Sequence, residues 1–304
     1  MVIALGFYLA AGRDDFDGDR AYGYLKQLCE LGPRPSGSEA MTAQQKLIAD
    51  HFTKLGAKVA FQRFASKYPT DGPDANRIGR DVPMANIIVR WNPDAKERIM
   101  LCGHYDTLPY PLEDPTDRRG RFVGANDNGS GIAVLMELGN ELARHPPAVG
   151  VDFVFFDAEE FLFSRDGKFF LGSEYFSHDY ADHPPAFRYR YAVLLDMVGK
   201  ADLRLGKEVN SINWEDSRPL VKEIWDTAAR LGIRNFVTVP LYEVRDDHLA
   251  LHDIAKIPAC DLIDFDYPAW HSQGDTPDKC SAESLAKVGR VLREWLKTQR
   301  PEPK

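Results

Sequence analysis

Short runs of almost uninterrupted apolar residues recur along the chain, and this feature limits the fold more than any other. They occupy residues 98–102, 151–156, 191–195 and 259–265. A strand covered on both faces by helices has this composition, and segments with apolar residues at helical spacing lie between the runs. The order predicts an α/β fold with three αβα layers around a central twisted sheet that is mixed and mostly parallel.

Turn signals place further strands beside these runs. Residues 84–91 and 98–102 flank the turn sequence Asn92-Pro93-Asp94, which predicts that the two segments pair as a hairpin. Residues 59–64 and 236–239 are typical of two more strands of the sheet. No internal repeat and no linker between domains interrupts this order.

The length of 304 residues suits one large α/β domain, and we expect residues 16–304 to form it. Residues 1–15 are expected to be a signal remnant or an N-terminal extension. Residues 1–11 are apolar and end in small residues, but they lack a basic amino-terminal stretch. A first helix or strand packed on the core is the alternative. We expect a periplasmic or secreted protein, and otherwise a cytoplasmic one.

Charge and composition exclude some classes of function. The net charge is -8, and no cluster of Lys and Arg with interleaved aromatic residues is present, so no nucleic-acid partner is expected. No apolar run approaches the ~20 residues that span a bilayer. A monomer is expected, because no exposed apolar helix face stands out. The cysteines are scattered without a CxxC pair, and free buried thiols are expected; they are Cys29, Cys102, Cys260 and Cys280.

Acidic and imidazole side chains follow the apolar runs and one Gly-rich turn that opens a helix; they are His104, Asp127, Glu159, Glu160, Asp196 and His271. In a parallel sheet, ligands bind beyond the carboxyl ends of the strands. Singly, Asp127 could be a helix cap and His104 a hydrogen-bonded core histidine. Together, several carboxylates in one crevice repel one another unless a cation neutralises them. Mixed His and Asp/Glu donors suit Zn²⁺, so we predict a zinc site.

The order of these residues resembles that of the zinc aminopeptidase superfamily. Its pattern is a His-x-Asp, an Asp in a Gly/Ser-rich turn, a Glu-Glu pair, an Asp after a strand and a late His. The resemblance covers most of the chain and implies a zinc-aminopeptidase-like fold with one catalytic domain. Within this superfamily, the chain is more similar to the glutaminyl cyclases. Three features carry this resemblance: eleven residues between Glu160 and Gly172, the sequence Asp246-Asp247-His248 before the final strand, and the pair Trp270-His271.

The resemblance to the cyclases also implies a metal site and a reaction. One zinc would be held by Asp127, Glu160 and His271, with a fourth position open for the side-chain amide of an amino-terminal Gln. Glu159 would take the proton of the attacking α-amine and pass it to the departing ammonia. The substrate would be the amino terminus of a peptide or protein, converted to pyroglutamate.

The resemblance assigns the surrounding residues as well. Asp196 and Asp246 would share a proton and hold the leaving nitrogen, and Trp270 would wall the substrate pocket. Phe163 would line the same pocket, where cyclases similar to the animal enzyme have Trp. Asp266 stands where an apolar pocket residue is expected. The simpler explanations are a first-turn position in the following helix for Asp246 and an ordinary core position for Trp270.

An aminopeptidase with two zinc ions is the alternative, because the same residues serve either enzyme. His104 and Asp196 would then hold the second zinc, Asp127 would bridge, and Glu159 would activate a water that hydrolyses the first peptide bond. A relative that only binds peptides would lack a ligand or Glu159, and none of these residues is missing.

Overall fold

The computed structural model of the chain describes residues 16–164 and 167–301. Its strands are β1 (Lys58–Lys67), β2 (Asp81–Trp91), β3 (Glu97–His104), β4 (Gly150–Phe156), β5 (Arg188–Asp196), β6 (Leu205–Lys207), β7 (Phe236–Pro240) and β8 (Ala259–Ile263). Its α-helices are α1 (Gly18–Glu30), α2 (Glu39–Lys54), α3 (Gly129–Arg144), α4 (Leu171–Asp182), α5 (Val209–Asn213), α6 (Arg218–Arg230), α7 (Asp247–Asp253) and α8 (Ala282–Thr298). The predictions for residues 1–15 lie outside the described residues.

Six strands form one sheet in the order β1-β2-β4-β3-β5-β8. The pairs β1–β2 and β2–β4 are antiparallel. The pairs β4–β3, β3–β5 and β5–β8 are parallel. The prediction of a mixed, mostly parallel sheet is therefore confirmed.

Side chains of the central strands alternate between two apolar cores. In β3, Leu101 faces a core shared with α1, α2, α3, α6 and α8. Its neighbour Cys102 faces a second core shared with α4 and α7. In β4, Phe153 faces the first of these cores and Val154 faces the second. Because successive residues of a strand point to opposite faces, the sheet is covered on both sides, and the predicted three αβα layers are confirmed.

The predicted hairpin between residues 84–91 and 98–102 is wrong, because β4 lies between β2 and β3. The turn itself forms: the Ala95 amide donates to the Asn92 carbonyl at 3.2 Å. Strand β4 is buried along its whole length. It therefore needs ladder partners on both edges for its backbone groups, and an interior position supplies them.

The strand predicted at residues 236–239 also lies elsewhere. Strand β7 pairs with β6 in a separate parallel ribbon, and not with the main sheet. Three of its five residues are exposed, which a strand inside the six-stranded sheet would not allow. The sequence patterns also missed helices α1, α4 and α5 and strand β6.

The described residues bear on two of the compositional predictions. All four cysteines are buried and none forms a disulfide in the described ranges. None of the helices in the ranges 16–164 and 167–301 combines the length and apolar character that crossing a bilayer requires.

Candidate metal centre and active site

Three adjacent strands end at one edge of the sheet and bring four of the predicted residues together. Strand β3 ends at His104 and β5 ends at Asp196, while Glu159 and Glu160 follow β4 closely. These strands are parallel neighbours, so their carboxyl ends lie side by side. All four side chains are buried.

Asp127 lies in the turn that precedes α3. The side chain of Asn128 caps that helix by accepting a hydrogen bond from the Gly131 amide at 3.0 Å. The turn needs glycine at position 124, where φ is +53° and a Cβ atom would lie 2.1 Å from the Asp127 carbonyl oxygen. The explanation of Asp127 as a helix cap is therefore excluded, and its carboxylate faces the crevice.

Asp127, Glu160 and His271 converge from three separate segments. Each offers one ligand atom within 4.8 Å of the others. Nε2 of His271 lies 2.7 Å from Oε1 of Glu160 and 3.4 Å from Oδ2 of Asp127. That Oδ2 atom is buried and has no hydrogen-bond partner in the described structure. Two carboxylates and one imidazole fit zinc, and three protein ligands leave a fourth position open.

A second group of donors shares Asp127. Nε2 of His104 lies 3.1 Å from Oδ1 of Asp127 and 3.6 Å from Oδ1 of Asp196. These three residues also offer ligand atoms within 4.8 Å of one another. Nδ1 of His104 and Oδ1 of Asp196 have no hydrogen-bond partner among the described residues. The donor set thus has room for a bridging arrangement as well as for a single ion.

The predicted general base Glu159 is held in a buried turn beside Glu160, one of the candidate metal ligands. The residue before it, Ala158, has a left-handed backbone with φ of 60°. Burial raises the pKa of Glu159 well above its usual range. A carboxyl group with a raised pKa can take up and release a proton near neutral pH, as a general acid and base must.

Asp246 caps α7 and lines the same cavity as Asp196. Its Oδ1 accepts a hydrogen bond from the Asp247 amide at 2.6 Å, whereas Oδ2 is buried without a partner in the described structure. Burial, and then the neighbouring Asp196, raise the pKa of Asp246 to about 8. Burial raises the pKa of Asp196 to about 6. One side chain therefore serves as helix cap and faces the cavity.

A cavity of about 270 Å³ opens onto these residues. Trp270 forms one wall and stacks on the imidazole of His271, with ring centroids 3.8 Å apart. Phe265 lies next to Trp270, with a centroid distance of 5.2 Å. The remaining apolar wall consists of Phe169, Phe170, Val244 and Ile263. Trp270 is half-buried and borders the cavity, so an ordinary core position does not describe it.

The placement of Phe163 in the substrate pocket disagrees with the structure. Phe163 does not border the cavity and packs instead against Tyr68, with ring centroids 5.1 Å apart. The chain turns away after Glu160 and folds back so that the Phe170 amide donates to the Glu159 carbonyl at 3.0 Å. This return brings Phe169 and Phe170 to the cavity. The apolar pocket residue that was expected at position 266 is Phe265 in the structure. Phe265 borders the cavity, and Asp266 is exposed.

Two buried carboxylates support the site without having been assigned a role from the sequence. Asp106 accepts hydrogen bonds from the amides of Glu159 and Glu160, each at 3.0 Å. Asp157 accepts from the Ser36 hydroxyl at 2.7 Å. Both closely follow a strand, as Glu159 and Glu160 do, so sequence position alone cannot separate a supporting role from metal binding.

Comparisons with known proteins agree with this geometry. The sequence profile of Peptidase family M28 matches residues 86–296, which is more than half of the chain. The glutaminyl-peptide cyclotransferase of Gloydius blomhoffii is 25% identical over 245 residues. The alignment covers 70% of this chain, and the chain spans only 64% of the length of that relative.

Solved structures with the same fold include a glutaminyl cyclase and an aminopeptidase precursor. The chain is similar to the Fimbriiglobus ruber glutaminyl cyclase, at 40% identity and a TM-score of 0.86, over 94% of this chain and 96% of that chain. It is also similar to a leucine aminopeptidase precursor from Bacteroides thetaiotaomicron VPI-5482, at 28% identity and a TM-score of 0.85, over 94% of this chain and 98% of that chain. The zinc-aminopeptidase-like fold is therefore confirmed.

Proposed function

The chain belongs to peptidase family M28, and we propose that it is a zinc-dependent glutaminyl-peptide cyclotransferase. It would convert the amino-terminal Gln of a peptide or protein to pyroglutamate and release ammonia. The observation that carries this proposal is the buried carboxyl of Asp246, which borders the same cavity as Asp196 and Glu159 and has one oxygen without a partner in the described structure. The 40% identity to the Fimbriiglobus ruber glutaminyl cyclase supports it.

The reaction is a transfer within one residue. The α-amine nitrogen bonds to the side-chain carbonyl carbon of the same Gln, and the bond from that carbon to the amide nitrogen breaks. Such a ring closure needs orientation of the side chain more than a protein nucleophile. Asp127, Glu160 and His271 would hold zinc, which supplies Lewis acidity toward the side-chain carbonyl oxygen when bound.

The protein's own carboxyl groups move the proton. Glu159 takes it from the α-amine as the new bond forms and gives it to the departing nitrogen, which leaves as ammonia. Asp196 and Asp246 hold the leaving nitrogen. The pKa of Asp246, raised to about 8 by burial and then by Asp196, supports a proton shared between the two groups at neutral pH. Such a pair can both accept a hydrogen bond from an amide and donate one to the forming ammonia.

The apolar part of the cavity wall would limit the water beside the reacting carbonyl carbon. Water would compete with the α-amine for the same carbonyl carbon and would yield an amino-terminal Glu in place of pyroglutamate. Trp270, Phe265 and Ile263 line part of the cavity with apolar surface. Where these apolar side chains displace water, the interactions of the charged groups also become stronger, because the local dielectric constant falls.

Mass spectrometry of an amino-terminal Gln dipeptide amide tests the proposal. We expect the zinc-loaded protein to remove the mass of one ammonia and to leave the peptide bond intact. Turnover is expected to stop when zinc is removed with a chelator and to return on adding zinc. Release of free Gln by the same sample would contradict the proposal.

The second candidate function is a two-zinc aminopeptidase. It is favoured by the second donor group, His104, Asp127 and Asp196, whose ligand atoms lie within 4.8 Å of one another. Zinc content separates the two: a cyclase with this ligand set is expected to bind about one zinc per chain, and the aminopeptidase about two. An Asp246→Asn variant adds a second criterion. If the protein is a cyclase, the variant is expected to lose cyclisation. If it is an aminopeptidase, the variant is expected to keep its hydrolysis of a Leu substrate.

We also propose that the protein acts as a monomer on peptide amino termini in the periplasm or after secretion. The apolar residues 1–11 support export. Cell fractionation of the native host would test the location, and light scattering with size-exclusion chromatography would test the monomer. Recovery of the protein in the cytoplasmic fraction would contradict the proposed periplasmic or secreted location.

A further inference from the structure

A buried carboxylate that belongs to no donor group ties together the two turns that carry Asp127 and His271. Asp275 lies four residues after His271 and is fully buried. Its amide donates to the Ser272 carbonyl at 3.1 Å, so it is part of the same turn as His271. It lies outside every group of candidate ligands among the described residues.

The side chain of Asp275 reaches the other turn with both oxygens. Oδ1 accepts the amide of Asn126 at 2.8 Å, and Oδ2 accepts the amide of Asp127 at 3.1 Å. Oδ1 also accepts the hydroxyl of Tyr267 at 2.7 Å. The main-chain carbonyl of Asp275 accepts the amide of Ala125 at 3.4 Å. Four donors are thus satisfied by one residue.

No strand pairing connects these two turns directly. Asp127 and Asp275 are 148 positions apart in the chain, and both lie outside the named strands. The sheet ladders that align His104 and Asp196 therefore do not set the distance between Asp127 and His271. The hydrogen bonds of Asp275 join the two turns directly, because they run from the backbone amides of one turn to a residue of the other.

We infer that Asp275 is a positioning residue that fixes the spacing between the ligands Asp127 and His271 and thereby sets the affinity for zinc. This inference rests on the zinc site of the proposed function, but not on which reaction the site catalyses. Asp275 acts through the two main-chain amides and touches no substrate. Groups that orient metal ligands typically change metal affinity or activity about 10- to 100-fold when they are replaced.

Two variants separate this role from a general contribution to folding. Asp275→Asn keeps the shape but places an NH2 group against one of the two amides, which then loses its acceptor. Tyr267→Phe removes one hydrogen bond from Oδ1 and keeps the negative charge. Asp264→Asn is the matched control: Asp264 is also fully buried and accepts the Arg204 amide at 2.8 Å, and no hydrogen bond joins it to either turn among the described residues.

The experiment measures the zinc dissociation constant by competition with a chelating dye, and the visible spectrum of the Co²⁺-loaded protein, which reports ligand geometry. We expect Asp275→Asn to raise the zinc dissociation constant about 10- to 100-fold and to shift the Co²⁺ spectrum. Tyr267→Phe should raise it about two- to tenfold. Asp264→Asn should leave both readouts unchanged, even where its metal-free form melts at a lower temperature.

The outcomes distinguish this inference from the proposed function. Failure of the wild-type protein to bind zinc would overturn both. Normal zinc binding by the wild type, with an unchanged dissociation constant and spectrum in Asp275→Asn, would overturn only the inference. An equal loss of affinity in Asp264→Asn would also overturn it, because any buried carboxylate would then suffice. Should Asp275→Asn fail to fold, Tyr267→Phe decides, and an unchanged dissociation constant there refutes the role.

Discussion

Replacement of Glu159 by Gln tests the proposed proton transfer with little change in shape. The backbone of the turn is held by Asp106, which accepts the Glu159 and Glu160 amides at 3.0 Å each, and the substitution leaves these bonds in place. The neighbouring candidate ligand Glu160 is unchanged. The side-chain amide of Gln cannot take up the amine proton.

The expected magnitude follows from the role. A positioned general acid and base contributes about 10²- to 10⁴-fold to the rate. At about 1.36 kcal/mol per tenfold change, the variant is expected to lose about 2.7–5.4 kcal/mol of transition-state stabilisation. Steady-state kinetics with an amino-terminal Gln peptide should show this loss in kcat, with KM changed less than about threefold, since substrate binding does not use the proton. Zinc content should stay at the wild-type level.

Glu137→Gln provides the matched control. Glu137 is a buried glutamate of α3 whose carboxylate pairs with Arg20, away from the cavity. The same chemical change there is expected to lower stability and to leave kcat unchanged. A Glu159→Gln variant that keeps more than a tenth of the wild-type kcat at full zinc content would refute the assignment of Glu159 as general base.

Three further predictions concern the core and the cavity. Asp152→Ala leaves the fully buried guanidinium of Arg98 without its ionic partner, so urea denaturation should show a loss of about 3–5 kcal/mol in the free energy of unfolding. Trp270→Leu removes the ring stacked on His271 and should raise KM about three- to tenfold in steady-state assays. Phe163→Leu should leave kcat/KM within about twofold of wild type, because Phe163 packs on Tyr68 outside the cavity; a tenfold loss would contradict this placement.

Much of the site could be predicted from the sequence because strand ends are local signals. His104, Glu159 and Asp196 each follow an apolar run closely, and parallel strands deliver their carboxyl ends to one edge whatever their order. The runs themselves could be recognised because a strand buried on both faces is mostly apolar, with few polar residues. The same reasoning led to the αβα layers, and the resemblance to a known superfamily assigned chemistry to the residues.

Strand order and the pocket wall were decided only by the tertiary structure. The turn at Asn92 signals a reversal of direction, but β4 occupies the position beside β2 because a fully buried strand needs ladder partners on both edges. The resemblance to the cyclases suggested Phe163 as part of the pocket wall, whereas the returning chain brings Phe169 and Phe170 to the cavity.

The link between Asp275 and Asp127 shows the physical reason for this division. The periodicity of apolar residues involves positions close together in the chain. The sequence by itself therefore determined most of the helices and strands, and the sheet edge at which the candidate ligands gather. A hydrogen bond between residues 148 positions apart depends on how the intervening elements pack. That packing depends on contacts throughout the core. Only the tertiary structure therefore determined which turns meet and which side chains form the wall of the cavity.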